Sequence, residues 1–195
     1  MAGLEALPTT FTTAQARRAA VQPRELYAAR DAGELVELSR GVFRKADGPA
    51  ATYPDLLAVA HRAPRAVVCL LSAAAIHALT DENPWAVQIA VPKGTWPPRI
   101  MHPPVEVFAW NPDHFELGVE FLEAAPGESV RVYSLERTVV DLMRLRARIG
   151  ESVAHIALRR YVSRRDARIG ALVDLAGTLD VLGPVSSALD VLTPS

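Results

Sequence analysis

Gln22, Arg24, Tyr27 and Arg30 fall within nine residues of one another. Arg17 and Arg18 stand just before them and Arg40 follows. Amides and guanidinium forks read base edges through hydrogen bonds, and arginine also grips phosphate. A second set is purely cationic. Arg144, Arg146, Arg148, Arg159, Arg160, Arg164, Arg165 and Arg168 lie within 25 residues, offset in part by Asp141, Glu151 and Asp166. Arginine forks bind carboxylates and phosphates at two points. Arg144, Arg148, Arg159, Arg160 and Arg164 are therefore candidates for meeting an acidic partner or helping to hold DNA. A solvated helix face is the competing reading of the same residues.

Catalytic patterns do not emerge. The chain has neither G-x-x-x-x-G-K-[ST] nor G-x-G-x-x-G, and neither H-R-D nor D-F-G, which argues against an ordinary kinase. Lys93-Gly94 reads as an exposed turn after a strand. His61, His77 and His155 fall on separate predicted helices, and His102 and His114 in or near loops, so no metal site is expected. Cys69, inside AVVCLL, reads as a small core residue. Ser72 and Ser134 read as helix caps without a base beside them. Asp141 stands at helical spacing from Arg137 and Arg144 and is expected to pair with one of them. No catalytic residue and no cofactor are expected.

Composition bounds the class. Half of the 195 residues are hydrophobic, 22% are charged, and the net charge is -1, as in a folded globular chain. The longest apolar run, residues 66–76, is far short of the ~20 residues that a membrane helix needs. The N-terminus lacks the basic start and apolar stretch of a secretory signal, so a cytoplasmic location is expected. One cysteine leaves no disulfide framework. Charge is uneven: +1 over residues 1–53, -4 over 54–133 and +2 over 134–195. Nineteen of the 21 cations are arginine, which a GC-rich genome also produces.

The elements that must carry these residues follow from pattern. Residues 2–7 make a short helical turn, with Pro8 just after. Thr12 caps a helix over 13–19, Ala20 to Gln22 connect, and Pro23 opens a second helix over 23–32 that Gly33 stops. Leu26 and Ala29 face inward, whereas Arg24, Tyr27, Arg30 and Asp31 face outward. Leu35 to Leu38 and Val42 to Arg44 form a hairpin around Ser39-Arg40-Gly41. Two helices joined by a tight turn, followed by a hairpin, is a winged helix-turn-helix layout over residues 1–50. Its second helix suits a DNA major groove, with Arg40 at the wing tip and Arg17 and Arg18 on phosphates. Units of this kind also serve as protein-interaction modules. The segment ADGPAATYP reads as a linker. Residues 54–195 form a mixed α/β domain. Helices are expected at 54–63 and 72–79, and strands at 67–70, 86–91, 105–110, 119–122 and 130–133. These strands would make a mainly antiparallel sheet. The last third is helical, over 135–147, 152–163, 167–176 and 185–192. The fold class is α/β of the α+β kind.

The order of motifs resembles a known family. FTTAQARRAAVQPRELYAARDAGELVELSRGVFRKA is similar to the winged-helix start of AbiEi-type antitoxins. LLSAAAIHAL, AVQIAVPKG and VRVYSLERTVVDLMR resemble that family's second domain in the same order. The likeness runs from about residue 10 to about residue 175. It implies a cognate nucleotidyltransferase-like toxin, operator DNA with inverted repeats, and autorepression through the winged helix. Two copies would sit on such DNA. The second domain would neutralise the toxin. Two alternatives stay open: an atypical protein kinase-like antitoxin that phosphorylates the toxin, and a plain winged-helix transcription regulator.

Overall fold

A computed structural model describes residues 2–192. Among the described residues, ten α-helices and eight strands form two sheets, a mixed α/β architecture. The chain divides into two compact units. Of the described residues, one comprises 2–66, 96–105 and 121–130, and the other 67–95, 106–120 and 131–192.

In the first unit, α1 (Ala2–Glu5) precedes β1 (Thr10–Thr12), α2 (Thr13–Arg18), α3 (Pro23–Asp31), β2 (Leu35–Ser39), β3 (Val42–Lys45) and α4 (Pro54–Arg62). Thr12 ends β1 and caps α2. Its Oγ1 accepts from the Gln15 N–H at 3.3 Å, while Gln15 Oε1 accepts from the Thr12 N–H at 2.7 Å. Three residues are too few for alternation to show, so β1 has no signature in the sequence. It completes an antiparallel sheet of order β1-β3-β2, with Phe11 opposite Phe43. Leu26 and Ala29 of α3 are buried with Leu7, Phe11, Ala16, Val21, Leu35 and Phe43. Gly33 (φ 79°) and Gly41 (φ 78°) supply the left-handed residues that end α3 and turn the β2–β3 hairpin. The linker at 46–54 does not end this unit: α4 packs on all three strands. Two pieces from later in the chain join it. Ala124 accepts from the Thr52 and Tyr53 N–H groups, and Glu128 pairs with the buried Arg44.

The second unit is built on strands β4 (Val67–Val68), β5 (Val87–Pro92), β6 (Val105–Trp110), β7 (Val119–Ala125) and β8 (Glu128–Tyr133), in the order β6-β5-β4-β8-β7. Residues 121–130 of the last two strands count with the first unit. β4 runs antiparallel to β5 but parallel to β8, so this sheet is mixed. Its helices are α5 (Leu70–Ile76), α6 (Leu135–Arg144), α7 (Arg146–Ile149), α8 (Glu151–Val162), α9 (Ile169–Thr178) and α10 (Leu182–Leu192). α6 is the hub: its eight consecutive residues Glu136–Met143 are all buried, with α5, α8, α9 and α10 packed around it.

Three local expectations change. The strand expected over 67–70 ends at Val68, and α5 starts at Leu70 rather than at residue 72. Ser72 is therefore no cap, and its Oγ accepts from the Gln88 N–H at 2.9 Å instead. The helix expected over 135–147 breaks at Leu145, which closes α6 and opens α7. Ser134 does cap α6, accepting from the Arg137 N–H at 3.2 Å.

Candidate nucleic-acid interface

α2, α3 and the 39–41 turn present the first cationic set. Arg17, Arg18, Arg24 and Arg40 are exposed. None of the four makes an ion pair or a side-chain hydrogen bond with any described residue. Arg17 and Arg18 close α2, and Arg24 stands at the second position of α3, beside the exposed Gln22 that caps it. Glu25 reaches back to the Gln22 N–H at 2.6 Å and steadies this start. Ala20 (φ 60°) makes the sharp turn between the two helices. The Thr13 N–H donates to the Gly41 carbonyl at 2.9 Å and holds the hairpin turn to the start of α2.

Tyr27 and Arg30 are placed differently. The Tyr27 ring lies edge-on to Phe43, centroids 6.0 Å apart, and carries the Arg30 guanidinium 4.9 Å from its centre. Arg30 also binds Asp31 at 2.8 Å and Glu37 at 2.9 Å. Glu37 was not a candidate on sequence grounds. Its only signal is a carboxylate on a strand opposite a helical arginine.

The second cationic set is largely spent inside its own unit. Arg144 pairs with Asp141 at 2.8 Å and stacks on Trp110 at 4.5 Å. Arg148 pairs with Glu106 at 2.8 Å and stacks on Phe108 at 4.5 Å. The two arginines thus cover alternate aromatics of β6. Arg160 is bidentate to Asp81 and Arg164 to Asp166, while Arg168 pairs with Glu136. Arg146 donates to the Met143 carbonyl. Arg159 and Arg165 make no ion pair among the described residues.

The polar centre of α6 is structural. Arg137 is fully buried. It donates to Asp141 at 2.9 Å and to the carbonyls of His114 and Leu117 at 2.7 and 2.8 Å. Its guanidinium lies 4.5 Å from the centre of the Tyr133 ring. Gly118 (φ 71°) makes room: a Cβ there would fall 2.8 Å from that of Arg137. Asp141 pairs with both arginines that its spacing suggested. Its desolvation, opposed by the two guanidiniums, raises its pKa. Cys69 is fully buried, and burial pushes its thiol well above the ordinary range, which removes the thiolate that nucleophilic chemistry requires. Among the described residues no three His, Cys, Asp or Glu side chains gather as metal ligands, and no helix is long and apolar enough to cross a membrane.

Residues 8–44 match the family model described as a transcriptional regulator, AbiEi antitoxin. This bears out the sequence resemblance over the segment that carries the four unpaired arginines. No curated protein matches the chain. Among solved structures, the crystal structure of the RV2827C protein from Mycobacterium tuberculosis is similar at a TM-score of 0.49 and 15% identity, over 100% of this chain and 80% of that one.

Proposed function

We propose that the protein is the antitoxin of a bacterial toxin–antitoxin pair and that its N-terminal region represses its own operon by binding DNA. The observation that carries this reading is the location of four unpaired arginines, all within the segment that matches the regulator family. Exposed cations without internal partners are the groups able to release counterions on meeting phosphate. In this reading residues 1–50 are a winged helix-turn-helix. Gln22 and Arg24 start the recognition helix, with Tyr27 and Arg30 a turn or two further along. Arg40 contacts DNA from the wing, and Arg17 and Arg18 contact phosphate. Inverted repeats would seat two copies. Residues 54–195 neutralise a nucleotidyltransferase-like toxin, and the setting is cytoplasmic. Arg159, alone among the five partner-contact candidates in making no ion pair with a described residue, is the one best placed to meet an acidic face of that toxin.

The test is anisotropy of a labelled fragment of the protein's own promoter against a random duplex of equal length. Preference for the promoter, falling steeply with salt, supports the reading. Equal binding to both duplexes, or none, overturns it. For the second half, expression of this protein should restore the growth that the neighbouring gene alone arrests. A neighbour that is harmless by itself would refute the antitoxin assignment.

A further inference from the structure

We infer that Glu37 is a positioning residue that locks the hairpin turn carrying Arg40 to α3, and that Arg30 acts through it as a brace rather than as a reader of bases. The inference rests on the DNA-binding reading above. Glu37 uses both carboxylate oxygens. Oε2 accepts from Arg30 Nη1 at 2.9 Å, and Oε1 accepts from the Gly41 N–H at 3.0 Å. One side chain thus spans from the helix to the residue after Arg40. β2 loses its regular pairing between Glu37 and Ser39, where the ladder itself gives the turn less support. Arg30 is fixed on its other sides by Asp31 and by the Tyr27 ring, so the brace is anchored at its helical end. A guanidinium engaged by two carboxylates has little left for a base edge, whereas the exposed Arg40 has its full charge to offer.

The sign of the effect separates positioning from bulk charge. Removing a carboxylate beside DNA strengthens binding to every duplex if charge alone matters. Loss of the brace does the opposite and does so selectively. Glu37→Ala is therefore expected to weaken promoter binding by roughly tenfold and to flatten the salt slope by about one unit, as Arg40→Ala does. The double variant should bind no worse than Arg40→Ala alone, because both changes remove one contact. Glu37→Gln, whose single amide oxygen can accept from the Gly41 N–H or from Arg30 but not from both, should fall between wild type and Glu37→Ala. Tighter, sequence-blind binding by Glu37→Ala overturns the inference. So does a loss that adds in full to that of Arg40→Ala.

A readout without DNA keeps the two proposals apart. Hydrogen exchange at the Gly41 amide should speed up in Glu37→Ala and stay unchanged in Arg40→Ala. An unchanged Gly41 amide in Glu37→Ala refutes the brace. Wild-type protein with no promoter preference removes the DNA-binding reading instead.

Discussion

The two arginine-rich regions contain the same side chain put to opposite uses. Around α2 and α3 four of the guanidiniums reach into solvent with no carboxylate against them among the described residues. Around α6 to α9 six are paired, and three of those lie over aromatic rings. By sequence alone the second region is the richer in cations and the more inviting as a binding surface. The structure reverses that ranking, because a cation already neutralised at short range contributes little to a field felt by a partner. On the DNA-binding reading, arginine left over after internal pairing is a better guide to the surface than arginine count.

The contrast can be broken most severely at the buried end. Arg137→Met should cost about 3–5 kcal/mol in urea unfolding, since it takes from Asp141 the more deeply buried of its two guanidiniums and removes the donor from two carbonyls. A loss below about 1 kcal/mol would show that the α6 network is not structural. Arg24→Ala is expected to do the reverse. Unfolding should stay within about 0.5 kcal/mol of wild type while promoter affinity falls by about 1–3 kcal/mol. Equal losses on promoter and random DNA would make Arg24 a phosphate contact rather than a base reader.

Smaller effects sharpen the picture through pH. Burial lowers the pKa of His61 below its ordinary 6.5, against a weaker opposing pull from Glu128. Below that value the unfolded chain takes up the proton first, so the first unit should lose stability as pH falls through 6.5. Melting curves of His61→Gln should show a flatter pH dependence than wild type, and identical curves would contradict this. The smallest effect belongs to the exposed pairs. Arg160 and Arg164 hold the carboxyls of Asp81 and Asp166 below the ordinary 3.8. The stability they add is present above that value and is lost as pH falls through the lowered ones. Arg160→Ala/Arg164→Ala should therefore melt like wild type near neutrality except for the weak term of an exposed pair, and lose the acid end of its profile.

Much of the fold was legible because local chemistry decided it. Thr12, Pro23, Gly33 and Ser134 mark real helix ends, and Leu26 and Ala29 face the core as their spacing requires. Other features depended on distant partners. β1 exists because β3 lies beside it. Ser72 spends its hydroxyl on Gln88 rather than on its own helix. The linker gave no hint that Arg44 would find Glu128, 84 residues away. The site divided in the same way. Arg17, Arg18, Arg24 and Arg40 could be named from their places on helices and turn, but their freedom could not, because pairing is a property of the folded neighbourhood. The role of Glu37 is hidden in the sequence for the same reason.

The most direct measurement is the salt dependence of promoter binding in three proteins: wild type, Arg17→Ala/Arg18→Ala/Arg24→Ala/Arg40→Ala, and Arg159→Ala/Arg165→Ala. If the unpaired arginines of the first unit hold the DNA, the fourfold variant loses promoter preference, and its slope flattens by about one unit per phosphate contact removed. The variant of the second unit then keeps the wild-type slope. A wild-type slope in the fourfold variant, or a flattened one in the other, would contradict the division of labour between the two regions.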